Sequence, residues 1–412
     1  MGRTSPGHGT GTPSAVADAA SEAACQNNRM VRVSLVALTC LLVTASAPRA
    51  ARDSVAERAA ELVLNAPAAA NEVWPGFSMP GRDWLVYDDT GAYLVTPSKP
   101  PAPFVAKGRM FVHAGPMPGL AGTLNLAYRL GDLTVVAVRA AATPERTAGL
   151  LYHEAFHVWQ RERFSYLSAP AGPAGDYAAE LTTGLAASME VERRALRAAI
   201  RAGGIDTVRL QEAVAVRAQR AASSSDALRA AERNVERREG LARYVEEHSL
   251  ARALRRSDRA PIDAIAAQLA IPLRSFGGSP DERLVRARAY STGGAMGVLL
   301  DRLGVEWKVR AHREALDLLL AEHVALPPTA MSTLVADAYA RYEHQELLTS
   351  TNPPWGALTG GLTEQVFDAL APYRLVLEVP DGTRPAWKLS TSAEQVSGMH
   401  RPAFESRPMA CS

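Results

Sequence analysis

Residues 143–164 read TPERTAGLLYHEAFHVWQRERF, and at this stretch the sequence changes from short apolar runs to long helical patterns. Thr143 offers a hydroxyl cap and Pro144 suits a first helical turn, so a helix is predicted to begin here and to stop before the Pro/Gly loop at 168–175. The pattern then stays helical to residue 349. Further helices are predicted at 176–202, 206–256 (with a break at 223–225), 261–270, 281–303, 306–325 and 329–349.

The sequence before this helix has a different character. Residues 54–66 have the pattern of a short amphipathic helix, and residues 71–142 contain short apolar runs separated by Gly, Pro and aromatic turns. The DDTG segment (88–91) lies between two such runs and predicts a hairpin. The predicted fold class is therefore α+β. It comprises a helix and a small, mostly antiparallel sheet (54–142), a mainly helical body (143–349) and a β-like tail (350–412) around YRLVLEVPDG.

The N-terminal residues carry the pattern of an export signal. Residues 1–29 show no helical or strand period and are interpreted as disorder or as an extension upstream of the true start. From Met30, a basic region precedes the apolar run VSLVALTCLLVTASA, which ends in an A-x-A site. This order is typical of a signal peptide (30–47), and the run is shorter than the roughly 20 residues of a membrane span. We expect an exported protein without a stable membrane span after cleavage; a short buried helix or an uncleaved anchor is the alternative.

Charge and cysteine content limit the possible functions. The 45 Lys and Arg residues nearly balance the 43 Asp and Glu residues, so the formal net charge is +2 and a nucleic-acid partner is not expected. Most arginines lie on Ala-rich predicted helices, where solvated faces are expected. The three cysteines, Cys25, Cys40 and Cys411, lack zinc-finger spacing. Any transition metal must therefore be held by histidine and carboxylate side chains.

Residues 153–157 are HEAFH, an HExxH pattern inside the predicted helix. Positions i and i+4 lie one above the other on a helix, so His153 and His157 can reach one metal ion. Glu154 projects from the neighbouring face, close enough to take a proton from a metal-bound water. The alternative is a pair of histidines packed inside a core helix. Apolar neighbours that would bury the helix are Leu150, Leu151, Phe156 and Trp159.

A catalytic zinc needs a third protein ligand, and the sequence offers three carboxylates for this role: Glu180, Glu190 and Glu239. Glu239 opens EGLARYVE (239–246). HEAFH followed by EGLARYVE resembles the gluzincin (peptidase MA-like) zinc metallopeptidases, especially their aminopeptidase-like branch. The resemblance implies a zincin-like helical body with Glu239 as the third zinc ligand. The rest of the motif is matched by Gly240, Ala242, Tyr244 and Glu246.

A third match lies in RAYSTGGAMGVLLDRL (288–303). Gluzincins of this branch carry a Y-x-x-G segment whose tyrosine donates to the oxyanion, and the resemblance implies that role for Tyr290; without it, Tyr290 has the pattern of a core residue.

The spacing departs from the family, since 81 residues separate His157 from Glu239, and the helix at 176–202 is then expected to be an insertion. Glu180 and Glu190 stay open as third ligands. Glu239 would in that case be a solvated acid paired with Arg243.

Together these patterns predict an exported zinc metallopeptidase that hydrolyses a peptide or protein substrate with metal-activated water, and Zn²⁺ is the cofactor expected. The GxMEN-type segment of aminopeptidases is absent, so a typical aminopeptidase is not expected. The alternatives are a gluzincin-like hydrolase of a non-peptide substrate and a non-catalytic exported binding protein. An edge strand within 71–142 would favour the peptidase, whereas a closed pocket would favour a small-molecule hydrolase.

Overall fold

The computed structural model describes residues 54–117, 119–120, 126–164 and 176–350. The predicted signal peptide, the extension before it, the three cysteines and the tail beyond residue 350 lie outside the described residues. No single helix within the described ranges is long and apolar enough to cross a membrane; Leu316–His323 and Pro328–Arg341 pass that test only as a pair bent by 108°.

The N-terminal part forms the predicted sheet, which has six strands. Its strands run in the order β3-β4-β2-β1-β6-β5. All neighbouring strands are antiparallel except β1 and β6, which pair in parallel with Trp84 opposite Val136. The predicted mostly antiparallel sheet is thus confirmed. The strands are β1 (Trp84–Tyr87), β2 (Gly91–Val95), β3 (Val105–Lys107), β4 (Met110–Ala114), β5 (Leu126–Leu130) and β6 (Leu133–Arg139).

The DDTG segment forms the predicted hairpin between β1 and β2. The Asp88 side chain accepts hydrogen bonds from the backbone N–H groups of Thr90 (2.8 Å) and Gly91 (3.1 Å), which fixes the turn. Strand β3 was not predicted. It is three residues long and exposed throughout, so it lacks the apolar alternation by which a strand is recognised.

Eleven α-helices follow the predicted helical pattern over the described part of the chain. They are α1 (Val55–Leu64), α2 (Pro144–Arg163), α3 (Thr183–Arg201), α4 (Thr207–Ala222), α5 (Asp226–Val235), α6 (Leu241–Ala253), α7 (Arg259–Leu269), α8 (Arg288–Arg302), α9 (Leu316–His323), α10 (Met331–Arg341) and α11 (His344–Ser350). Two π-helical segments, Glu236–Gly240 and Glu282–Ala287, precede α6 and α8. Single 3₁₀ turns lie at Ala68–Asn71, Ala178–Glu180, Leu273–Ser275, Arg310–His312 and Pro328–Ala330.

Three predicted helix boundaries are wrong. The helix expected from residue 176 begins at Thr183, where the Thr182 hydroxyl caps it. The helix expected over 306–325 is reduced to Leu316–His323, because Trp307 turns inward and donates its indole N–H to Asp301. The last predicted helix is divided at Glu343, whose φ of 59° is left-handed.

Helix α2, which carries HEAFH, begins where the sequence predicts. The Thr143 hydroxyl accepts a hydrogen bond from the backbone N–H of Arg146 (3.2 Å), and Pro144 occupies the first turn. The helix packs against α1, α6 and strand β6. The apolar side of α2 lies in a cluster of aromatic rings that fixes its position: Trp74, Phe77, Phe156, Trp159, Phe164, Tyr244 and Trp307.

The arginine-rich helices bury charge where solvated faces were expected. Three arginines and three glutamates from α3, α4, α5, α8 and the first π segment form a network of ion pairs with distances of 2.5–3.6 Å. None is more than 6% exposed: Arg217, Arg220, Arg288, Glu192, Glu232 and Glu236. The prediction of solvated faces is wrong for these arginines, because packed helices bring a matching carboxylate to each of them.

Two glycines allow the first π segment and α8 to cross in direct backbone contact. A Cβ on Gly240 would lie 2.5 Å from the Gly293 Cα, and a Cβ on Gly293 would lie 2.6 Å from the Glu236 carbonyl oxygen. This crossing places Glu239 beside the helix that carries Tyr290. Close packing of the two backbones therefore explains the glycines of the EG and Y-x-x-G segments.

We expect Gly240→Ala to destabilise the fold by about 1–3 kcal/mol or more, because the added methyl group meets backbone atoms that cannot rotate away. Gly184→Ala on α3 is the matched control, since a Cβ there has only the Thr182 hydroxyl at 3.9 Å. That control should be neutral or slightly stabilising. Urea unfolding of both variants checks the prediction, and equal stability of the two would contradict the close crossing.

Candidate metal centre

Three potential ligand atoms converge between α2 and the first π segment. The Nε2 atoms of His153 and His157 are 3.0 Å apart. The Oε2 atom of Glu239 lies 3.1 Å from Nε2 of His157 and 3.5 Å from Nε2 of His153. His153 and Glu239 are buried, and His157 is partly exposed. This group could hold a metal ion.

The partners of the two imidazoles determine which nitrogen faces the cluster. The Nδ1 atom of His153 is 3.1 Å from the Glu246 carboxylate, and Nδ1 of His157 is 2.9 Å from the Gln160 side-chain oxygen. The Gln160 amide is oriented by its N–H₂ group, which donates to two backbone carbonyls of the π segment. Both partners accept, so Nδ1 of each neutral imidazole carries the proton and Nε2 presents its lone pair.

Two nitrogen lone pairs and a carboxylate oxygen that face each other need a positive charge between them. A tetrahedral zinc ion with bonds of 2.0–2.1 Å would hold its ligand atoms about 3.3 Å apart. The observed separations of 3.0, 3.1 and 3.5 Å agree with that spacing. The donor set and its geometry therefore fit a metal ion.

The pKa values of the cluster show the same attraction for positive charge. Burial alone lowers the pKa of His153, but its hydrogen bonds with Glu239 and Glu246 outweigh burial and raise it to about 9. Burial raises the pKa of Glu239, yet hydrogen bonds with the two histidines hold it well below its usual range. A metal ion replaces the proton on such a ligand when it binds, since a ligating imidazole must be neutral.

Glu154 lies beside the cluster without being part of it. It directly follows His153 on α2, and its charge raises the pKa of both His153 and Tyr290. The side chain is half-buried and forms no hydrogen bond or ion pair with any described residue. A carboxylate that is close to a metal centre yet unpaired is available to accept a proton.

Tyr290, on the first turn of α8, stacks on the His153 ring. Its ring is parallel to the His153 imidazole, with centroids 5.7 Å apart and an interplanar angle of 9°. Burial raises the pKa of the Tyr290 hydroxyl, and the charge of nearby Glu239 raises it further. The hydroxyl therefore stays protonated and can donate a hydrogen bond near the cluster.

The two other carboxylates considered as third ligands have different partners. Glu180 accepts a hydrogen bond from the backbone N–H of Ser225 (2.9 Å), and Glu190 forms an ion pair with Arg193 (2.7 Å). Neither belongs to the group around the two histidines. The pairing of Glu239 with Arg243 does not occur, because Arg243 binds the Glu246 carboxylate at 2.7 Å.

Neither ligand-orienting role was predicted from the sequence: Gln160 was not singled out, and Glu246 was matched only as part of EGLARYVE. Gln160 follows His157 by three positions, and Glu246 follows Glu239 by seven, so each lies on the same helix face as a ligand. This spacing was the sequence signal that could have identified both residues as partners of the ligands. Within EGLARYVE, Tyr244 has a structural partner instead, since its hydroxyl donates to Asp301.

Replacing Glu246 by glutamine should weaken metal binding by about 10–100-fold, the usual effect of losing a charged partner of a ligating histidine. The control is Glu247→Gln, because Glu247 pairs with the same Arg243 but does not touch His153. Competition between each variant and a chelator for Zn²⁺ measures the effect. Equal affinities for the two variants would show that Glu246 does not support the cluster.

No protein-family model, curated protein or solved structure matches the chain. The resemblance to gluzincins therefore rests on the residues of the three motifs.

Proposed function

We propose that the protein is an exported zinc metallopeptidase of gluzincin type. The observation that carries the proposal is the convergence of three ligand atoms from His153, His157 and Glu239, with the unpaired Glu154 carboxylate and the Tyr290 hydroxyl beside them. Such a centre provides each part that peptide hydrolysis by activated water requires. The zinc ion and the export signal are part of this proposal.

The residues of the chain have separate tasks in this reaction. When bound, zinc supplies Lewis acidity, which polarises the scissile carbonyl and lowers the pKa of the attacking water toward 7. The Glu154 carboxylate accepts the proton of that water and passes it to the nitrogen of the leaving amine. The Tyr290 hydroxyl donates a hydrogen bond to the carbonyl oxygen as negative charge builds on it.

A peptide substrate is supported by the sheet. Among the described strands, β5 and β3 lie at the two edges, and β5 pairs with β6, the strand that packs against α2. An edge strand can bind an extended peptide through its main chain, a contact that a small-molecule hydrolase does not need.

The direct test is cleavage of a mixed-peptide library by the zinc-loaded protein, followed by mass spectrometry of the products. We expect cleavage that a chelator abolishes and that added Zn²⁺ restores. A protein that holds zinc but leaves every peptide intact would contradict the peptidase proposal and favour a non-peptide substrate. A protein that holds no metal would favour a binding protein.

Tyr290→Phe should lower kcat by about 10²–10³-fold while zinc content stays unchanged, because the phenyl ring keeps the packing and lacks the donor. Tyr152→Phe is the control: Tyr152 is buried in α2 directly before His153, and its hydroxyl has no hydrogen-bond partner among the described residues. Kinetics with a cleaved peptide compare the two. A Tyr290→Phe enzyme as active as the Tyr152→Phe enzyme would leave Tyr290 a packing residue only.

A further inference from the structure

Two arginines approach Oε1 of Glu239, the carboxylate oxygen that is not the one facing the histidines. Nε of Arg238 lies 3.1 Å from Oε1 of Glu239, and Nη2 of Arg286 lies 3.9 Å from the same oxygen. They come from different segments, since Arg238 belongs to the first π segment and Arg286 to the second. Oε2 of Glu239 meanwhile faces the histidines, so the arginines stand at the outer side of the candidate metal centre.

These arginines differ from the buried ones in exposure and in partners. The side chains of Arg238 and Arg286 are 40% and 58% exposed. Glu239 is the only described carboxylate within 4 Å of either guanidinium, and Arg238 uses a single N–H group for it. A guanidinium has five N–H groups, and most of those of Arg238 and Arg286 have no hydrogen-bond partner among the described residues.

The balance of charges around the candidate metal centre favours the binding of an anion. Glu154 and Glu239 carry two negative charges and Arg238 and Arg286 two positive ones, whereas Glu246 is already paired with an arginine. A divalent metal ion then gives the centre a surplus of positive charge. Such a surplus attracts an anionic group from solvent.

We propose that Arg238 and Arg286 bind a carboxylate of the substrate next to the scissile bond. A guanidinium matches a planar carboxylate with two parallel hydrogen bonds, which makes arginine the usual residue for this task. Arg286 precedes Tyr290 by one helical turn, so a carboxylate held by Arg286 lies near the carbonyl that Tyr290 contacts. This inference rests on the proposed function and specifies its substrate class.

The carboxylate has two sources, a free peptide C-terminus or an Asp or Glu side chain. Four N-acetylated random hexapeptide libraries separate them, with a C-terminal acid or amide and with or without Asp and Glu. We expect the zinc-loaded protein to cleave carboxylate-bearing libraries about 10–100-fold faster in kcat/KM than the amide library without Asp and Glu. The library that is preferred identifies the source.

The matched variants are Arg286→Met and Arg274→Met. Arg286→Met should remove the preference through KM and leave zinc content unchanged, whereas Arg274, an exposed arginine that lines a separate pocket, should be dispensable. A binding measurement adds a readout without catalysis. Immobilised zinc-loaded Glu154→Gln protein should retain carboxylate-bearing peptides selectively, and Arg286→Met in that background should abolish the selection.

The outcomes distinguish this inference from the proposed function. Cleavage of all four libraries at equal rates, or a preference that survives Arg286→Met, overturns the carboxylate site and leaves the peptidase intact. Absence of cleavage by the zinc-loaded protein contradicts the peptidase. The retention experiment then decides the inference alone, since equal retention of all four libraries overturns it.

Discussion

Replacing Glu154 by glutamine is expected to lower kcat by about 10²–10⁴-fold, the usual contribution of a general base, without loss of zinc. Activity should fall without zinc loss because Glu154 is near the cluster but is not one of its converging ligands. Glutamine has the same shape and cannot accept the proton of water at neutral pH. The measurement is kcat together with the zinc content of the same purified protein.

Glu162→Gln is the control for this variant, because Glu162 lies on the same helix and is exposed. It should retain both zinc and activity. Zinc loss by folded Glu154→Gln protein would make Glu154 a ligand and contradict its assigned role. An unchanged kcat would remove it from the reaction.

His157→Ala, like His153→Ala, is expected to lose zinc on dialysis and with it all metal-dependent activity. Each substitution removes one of three ligands. It also leaves the Glu239 carboxylate, which is 4% exposed, without one of its two histidine partners. An incompletely paired buried carboxylate weakens the site further. Metal analysis after dialysis against a chelator gives the result.

His323→Ala is the matched control, since His323 is exposed on α9 and its ring contacts a backbone carbonyl. It should keep one zinc ion per chain. Circular dichroism of the His157→Ala protein checks that the helices persist. Zinc retention by that variant at the level of the control would show that the metal binds elsewhere.

The elements with local causes could be predicted from the sequence. The Thr143 cap and Pro144 determine the start of α2, and Asp88 determines the turn of the β1–β2 hairpin, so both were found. The relation of His153 to His157 is likewise local, because one helical turn brings both imidazoles to one side.

What depends on tertiary contacts could not be predicted in the same way. Nothing local shows that Arg217 and Arg220 are buried, because their partners Glu192 and Glu232 come from other helices. Trp307 packs into the aromatic cluster and donates to Asp301, so the helix that the sequence predicts from residue 306 does not form there.

The long interval between His157 and Glu239 combines a local motif, which could be predicted, with tertiary contacts, which could not. Its helices α3, α4 and α5 supply the buried network that ends at Glu236, three residues before Glu239. Because these helices are inserted, the number of residues between His157 and Glu239 departs from the gluzincin pattern. Glu239 still reaches the histidines. The motif around Glu239 was informative, whereas the distance along the chain was not.

The proposed function requires that His153, His157 and Glu239 together hold a zinc ion. A crystal structure of the protein loaded with one equivalent of Zn²⁺, with anomalous diffraction at the zinc edge, tests it most directly. We expect one zinc per chain, bound by Nε2 of both histidines and by a Glu239 oxygen at about 2.0–2.2 Å. A zinc ion bound by Glu180 or Glu190, or no anomalous peak between the two histidines, would contradict it.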